Sequence, residues 1–290
     1  MKHLLINRFQ GALIGANTIY ITDRQTIPNQ LVINTTPALM GGVASLIRRG
    51  GFDPQDWSQS TFNTTDDPHQ AIVAMLPLML FFHDDRVKLR EILINVSHSW
   101  QLDWEPCSCA VAIGYILSRS LTESLSARDI IPQLLDEMIN LNPLLFQELE
   151  MIDRYLDQSS SLHQVTQKLT AIAHPMIAST VLAIYCFLST PEYFSLAMLR
   201  AYHTKSEPPF TCALTGMLAG AHNSLTGIPV NGVLATQNRE RLMLAAEDLL
   251  SGWAGVYHQH SSMGIFPPSD RSQIDRVLPV ASPQVIQRRK

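Results

Sequence analysis

Residues 216–221 of the chain read Gly-Met-Leu-Ala-Gly-Ala, and residues 227–229 read Gly-Ile-Pro. The first stretch lies within a segment, 211–226, whose apolar residues recur at helical spacing. The same spacing extends outward through most of the chain, as in the stripe of apolar residues over 39–47. Alternation of apolar and polar residues, which is typical of strands, is scarce. The pattern therefore predicts an all-α protein.

Ten or eleven helices are expected, and because most connections between them are short, we find no internal domain boundary. The other predicted helices cover residues 89–96, 107–120, 127–139, 142–157, 161–173, 175–188, 191–203 and 238–257. Several of them open with proline after a capping residue, as at Asn142-Pro143 and Thr190-Pro191. The prediction is one compact multi-helix domain over residues 1–266, followed by a loosely ordered tail rich in Pro, Gln and Ser over residues 267–290.

The longest apolar run extends from Ala71 to Phe82 and contains Pro77. A helix that crosses a bilayer needs about 20 apolar residues. This run has 12 residues, so we interpret it as a buried core helix and expect no membrane span. The first residues have too short an apolar run for a signal peptide.

Charge and cysteine content narrow the class of protein further. The 21 basic and 25 acidic side chains give a net charge of -4, which disfavours binding to nucleic acid through phosphate neutralisation. The four cysteines lie in apolar stretches, without the spacing of a disulfide framework or of paired zinc ligands. This favours a reducing compartment, and we expect the protein to be cytoplasmic.

Four blocks of sequence resemble, in the same order, those of the ADP-ribosylglycohydrolase family. Residues 8–15, Arg-Phe-Gln-Gly-Ala-Leu-Ile-Gly, resemble its opening helix, and residues 44–54 resemble its second helix and the exit from that helix. Residues 75–78 are similar to its central apolar helix, and residues 216–229 to its G-A-L-A-G-A…G-x-I-P ending, the most specific block. The resemblance implies the compact all-α fold of that family. For active members it also implies removal of ADP-ribose from a substrate with two magnesium ions.

A site for two magnesium ions requires several carboxylates that converge from different helices. Aligned without gaps, the family's T-D-D-T motif falls on residues 33–36, so Asn34 and Thr35 replace both aspartates. The family's G-G-D-T-D-T motif falls on residues 205–210, where only Glu207 keeps a carboxylate. Pro209 and Phe210 occupy later positions of that motif, and the aspartate after the opening helix falls near Tyr20. The resemblance thus implies a degenerate magnesium site and no bound cofactor.

Nearby residues could substitute for the missing ligands. Asp23 is close to the first position, and His98 falls where the family often has a Thr-His pair lining its cleft. With Glu207, these residues form the possible residual pocket; for His98 a core or turn position is an equal alternative. Asp66 and Asp67 imitate T-D-D-T, but they stand directly before Pro68 and the apolar run, where a helix N-terminus favours an aspartate cap.

Other clusters each have a chemical and a structural interpretation. His83-Asp84-Asp85 could bind a metal, but a turn with an aspartate cap is favoured because adjacent side chains on a turn diverge. Cys107 and Cys109 could begin a soft-metal site, although helix packing is favoured because no second Cys/His pair stands at zinc spacing.

A histidine pair and a tryptophan pair also have both a chemical and a structural interpretation. His258 and His260 could bind a metal, but a solvated loop is favoured because no carboxylate motif accompanies them. Trp100 and Trp104, four residues apart beside His98, could line a pocket, but packing between helices is favoured.

The leading hypothesis is a catalytically inactive relative of ADP-ribosylglycohydrolases with a binding or regulatory role. Its partner would be another protein or a nucleotide-like ligand. The alternatives are an ADP-ribosyl hydrolase with a remodelled active site and a scaffold or assembly subunit of a larger complex. The first alternative needs carboxylates that the alignment does not supply.

Overall fold

A computed structural model describes residues 4–18, 36–61, 67–138, 142–172, 174–204 and 206–256. Within these ranges every regular element is a helix, as predicted. The helices are Leu5–Asn17 (α1), Thr36–Arg49 (α2), Pro54–Thr61 (α3), Pro68–Ala74 (α4), Leu76–Phe81 (α5), Arg86–Ser99 (α6), Trp104–Leu121 (α7), Ile130–Met138 (α8), Pro143–Asp157 (α9), Leu162–Ile172 (α10), Pro175–Leu188 (α11), Phe194–His203 (α12), Pro208–Gly227 (α13), Val230–Ala235 (α14) and Arg239–Trp253 (α15). The described structure has more helices than the ten or eleven expected. Short helices such as α3 and α14 show too weak an apolar period to be predicted from the sequence.

The core is built around three helices that are buried on nearly all sides, namely α7, α11 and α13, and these three pack against one another. In α11, every side chain from Met176 to Leu188 is buried. Helices with one apolar stripe, such as α8 and α9, pack around this centre and expose their polar faces. The described residues belong to one compact unit. The expected boundary at residue 266 and the tail lie outside the described residues.

The predicted helix starts agree with the structure within one residue for α9, α10, α11 and α15, and they differ by three residues for α7, α8, α12 and α13. Asn142 caps α9, because its side-chain oxygen accepts hydrogen bonds from the backbone N–H groups of Leu144 (2.9 Å) and Leu145 (3.1 Å). The expected start at Thr190-Pro191 is wrong by three residues. The Thr190 hydroxyl donates back to the carbonyl of Cys186 (3.1 Å), and α12 begins at Phe194 after a turn.

The apolar run 71–82 is buried, as expected, but it forms two helices instead of one. They meet at Met75, two residues before Pro77. Proline lacks an N–H group and its ring clashes with the preceding turn, so the helix restarts there. None of the described helices is long and apolar enough to cross a membrane.

Candidate functional site

The contact between α1 and α13 brings two helix ends together. Gly11 lies against Gly220 and Gly15 against Gly216, so the two helices run antiparallel. A Cβ atom built on any of these four glycines would lie 2.0–2.2 Å from the carbonyl oxygen of the glycine opposite. The backbones therefore touch directly, and the C-terminal end of α1 lies at the same end of the molecule as the N-terminal end of α13.

Two more helices begin at this end. The Thr36 hydroxyl, in the first turn of α2, donates to the side-chain oxygen of Asn17 at the end of α1 (3.4 Å). Helix α4 begins at Pro68, and the ring of His69 packs edge-on against the ring of Phe210 in α13, with 4.6 Å between ring centroids. We call this region, marked by Asn17, Thr36, His69 and Phe210, the helix-end site.

The interpretation of Asp67 as a helix cap is confirmed. Its carboxylate accepts a hydrogen bond from the backbone N–H of His69 (3.0 Å). The same oxygen, Oδ1, lies 3.1 Å from Nδ1 of the His69 ring, and Oδ2 accepts from the amide of Gln70 (3.3 Å). Since a carboxylate only accepts, Nδ1 of His69 is the donor in this contact. Asp66 lies outside the described residues.

Nε2 of His69 is buried and has no hydrogen-bond partner within the described ranges. A buried nitrogen without a hydrogen-bond partner is energetically unfavourable, so a water molecule or a ligand at this atom would complete its hydrogen bonding. Sequence reasoning missed His69. The sequence signal for this residue is Asp-Pro-His at a helix start. This spacing places the imidazole against the carboxylate that caps the same helix.

The structure describes residues 206–210 of the second metal motif, and Glu207 has the one carboxylate among them. Glu207 is exposed and has a left-handed backbone, with φ 39° and ψ 60°. Pro209 has neither a side-chain ligand nor an N–H group, and Phe210 is 2% exposed with its ring against His69. Hard oxygen ligands are what Mg²⁺ requires, and neither Pro209 nor Phe210 supplies one from its side chain. Across the part of the chain that the structure describes, no group of three His, Cys, Asp or Glu side chains is placed to hold a metal.

Four of the predicted positions lie outside the described residues, namely Tyr20, Asp23, Asn34 and Thr35. His98 is exposed in the last turn of α6. Neither a hydrogen bond nor an ion pair joins His98 to Glu207 in the described structure. Beside it, Trp100 is buried and stacks on Trp57 with 6.3 Å between centroids, which confirms helix packing for that ring, whereas Trp104 is 45% exposed.

The cluster at residues 83–85 is a helix connection, as favoured. Asp85 caps α6 by accepting from the backbone N–H of Lys88 (3.0 Å), and Asp84 accepts from the indole N–H of Trp253 (3.1 Å). His83 is buried, and its Nδ1 donates to the carbonyl of Leu80 (2.8 Å). Burial lowers the pKa of His83, so the ring is neutral at physiological pH.

The packing interpretation of the cysteines is also confirmed. Cys107 and Cys109 are buried in α7, and both are free thiols. Burial raises the pKa of the Cys109 thiol to about 12, so it is protonated and poorly nucleophilic at neutral pH. The pair His258 and His260 lies outside the described residues.

These features define a class: an all-α protein whose glycine-lined contact between α1 and α13 gathers four helix ends at one end of the molecule. A model of the ADP-ribosylglycohydrolase family matches residues 24–259. The chain therefore belongs to the ADP-ribosylglycohydrolase family, which confirms the resemblance and the fold expected from it. Residues 8–15, the first of the four resembling blocks, precede the matched region, although the structure pairs them with α13.

One solved structure similar to this chain is described as an ADP-ribosylglycohydrolase-related protein complex. The likeness has a TM-score of 0.57 at 16% sequence identity and covers 87% of this chain and 98% of that one. At this identity it supports the fold alone. No curated protein matches the sequence.

Proposed function

We propose that this chain is a member of the ADP-ribosylglycohydrolase family that lacks magnesium-dependent glycohydrolase activity and acts by binding, as a receptor or regulator. The observation that carries the proposal is Phe210, which is buried at the N-terminal end of α13 with its ring against His69. In this chain, Phe210 is part of the apolar core, whereas the family's metal motif has a polar residue at the corresponding position.

Pro209 and Glu207 support the same conclusion. Pro209 offers no side-chain oxygen beside Phe210, and Glu207 is exposed at the start of α13. A single exposed carboxylate competes poorly for an ion that keeps its water shell tightly and is normally held by several ligands at once. We infer that the substitutions Asn34 and Thr35 remove two further ligands from the same site.

The ligand of such a protein is either a nucleotide-like molecule or a protein partner. An ADP-ribosyl group bound without magnesium would use the hydrogen-bonding groups of the helix-end site, of which Nε2 of His69 is one that lacks a partner in the described structure. The buried free thiols favour a reducing compartment, and we place the protein in the cytoplasm on that ground.

The experiment that tests the proposal measures release of ADP-ribose from ADP-ribosylated arginine or serine, with magnesium and with EDTA. We expect no release above that of heat-denatured protein in either condition. Release that EDTA abolishes would overturn the proposal. In parallel, calorimetric titration with ADP-ribose with and without magnesium identifies the ligand. Equal binding in both conditions supports a nucleotide-like ligand, and no binding in either condition excludes ADP-ribose as the ligand.

A second candidate is a hydrolase with a remodelled site that works without metal, and the Asp67–His69 pair favours it. A carboxylate that holds an imidazole by Nδ1 leaves Nε2 as a hydrogen-bond acceptor and potential general base. This candidate predicts that release of ADP-ribose persists in EDTA and is lost in His69→Gln. The substitution His163→Gln, at an exposed histidine of α10, is the control because it leaves Asp67 and the imidazole of His69 unchanged.

A further inference from the structure

A second region of the molecule has the shape and the charges of a ligand site. A cavity of about 440 Å³ lies between α9, α11, α12 and the segment before α8. This volume is within the range of small-molecule sites, roughly 300–1,000 Å³. None of the residues that mark the helix-end site lines it.

Two of the residues that line the cavity are arginines. Arg200 of α12 lies with its guanidinium carbon 5.4 Å from the centre of the Tyr185 ring, a cation–π contact that holds the side chain in place. The hydroxyl of Tyr185 donates to the carbonyl of Ser160, which fixes the turn after α9. Nε of Arg200 is buried without a hydrogen-bond partner in the described ranges. Arg128, before α8, adds a second guanidinium at the rim.

Two other residues that line the cavity are aspartates. Asp153 and Asp157 lie one helical turn apart on α9, and both line the cavity. Burial, with the negative charge of Asp157, raises the pKa of the Asp153 carboxyl. Among the described residues neither aspartate forms an ion pair with Arg128 or Arg200. Two cations and two anions thus line one cavity without neutralising one another by direct contact.

We propose that this cavity binds a small zwitterion, with its carboxylate or phosphate at Arg200 and Arg128 and its primary ammonium at Asp153 and Asp157. A simple anion would be repelled by the two aspartates, and a simple cation by the two arginines. A molecule with both charges can pair with the arginines and the aspartates at once, and a planar guanidinium is suited to carboxylate and phosphate oxygens alike. The site is independent of the helix-end site and of any magnesium ion.

The test is calorimetric titration of the full chain, in EDTA, with phosphoethanolamine and with γ-aminobutyrate. Inorganic phosphate, acetate and ethylamine serve as half-ligands. We expect at least one zwitterion to bind at least about tenfold more tightly than each half-ligand, a difference of about 1.4 kcal/mol. Phosphoethanolamine and γ-aminobutyrate distinguish a phosphate from a carboxylate ligand. Failure of both to bind at millimolar concentration, or binding of phosphate as tight as that of phosphoethanolamine, overturns the proposal.

Substitutions locate the binding within the cavity. Arg200→Met and Asp153→Asn should each weaken binding of the zwitterion about tenfold or more. The controls are Arg154→Met and Asp136→Asn, which change exposed residues of the same kinds on α9 and α8 outside the cavity. Because Arg200 packs on Tyr185, Arg128→Met and Asp157→Asn provide the same test at exposed positions of the rim. Equal weakening by a control and by its cavity variant would place the binding elsewhere.

Discussion

Replacing Gly220 by alanine should destabilise the protein substantially, although alanine is the better helix former. Gly220 lies in the middle of α13, and an added Cβ atom would be 2.0 Å from the carbonyl oxygen of Gly11. Real Cβ atoms essentially never approach a neighbour below 3.0 Å. Since the obstructing atoms belong to the backbone of α1, no side-chain rotation relieves the contact, and the two helices must separate by about 1 Å.

The magnitude follows from two opposing contributions. Overpacking in a close-packed interior costs about 1–3 kcal/mol, and here we take about 3 kcal/mol because a whole helix must move. The higher helix propensity of alanine returns about 1 kcal/mol. The net loss of about 2 kcal/mol in the free energy of unfolding corresponds to a melting temperature about 4–8 °C lower for a domain of this size.

Thermal unfolding followed by circular dichroism measures this effect, with Gly232→Ala as the matched control. A Cβ atom on Gly232, in α14, would meet only ordinary contacts, Cγ2 of Thr18 at 3.6 Å and Cγ2 of Ile228 at 3.7 Å. That variant should melt at the parent temperature or about 1–4 °C above it. A melting temperature of Gly220→Ala equal to or above that of the parent would refute the argument that α1 and α13 are in backbone contact.

Three further predictions concern other parts of the molecule. Phe210→Asp should lower the melting temperature, because the substitution buries a carboxylate in an apolar position. Added Mg²⁺ should not restore the melting temperature of this variant. A rise in melting temperature with Mg²⁺ would indicate a working metal site. Burial raises the pKa of Glu148, so the folded state holds the proton to higher pH than the unfolded chain does, and stability falls as pH rises through this interval. Glu148→Met should therefore unfold at higher denaturant concentration than the parent at neutral pH, with an advantage that shrinks in acid, whereas Glu150→Met, exposed on the same helix, should not. Burial raises the pKa of Cys186 and Cys212 to about 12, so a thiol reagent at pH 8 should label them only in denaturant; rapid labelling of the native protein would contradict their burial.

The sequence determined the helical class and the approximate bounds of most helices, because the apolar period depends only on which faces are buried. The bounds of α11 agree with the predicted segment 175–188, and Asn142 caps α9 as its side chain and the following proline indicate. The family could also be recognised, since four ordered blocks are specific together. Local capping chemistry likewise predicted an aspartate cap at residues 66–67 and another at residues 84–85, and the structure identifies these caps as Asp67 and Asp85.

Only the tertiary structure showed that Gly11 and Gly15 are opposite Gly220 and Gly216, because contacts more than 200 residues apart in the chain leave no local period. It also paired His69 with Phe210, and Arg200 with Tyr185. No local sequence pattern predicts these pairings. The role of each residue depends on its contact with a residue on another helix. Periodicity identifies which side of a helix is buried, whereas the identity of the side chain that covers it depends on how the helices pack.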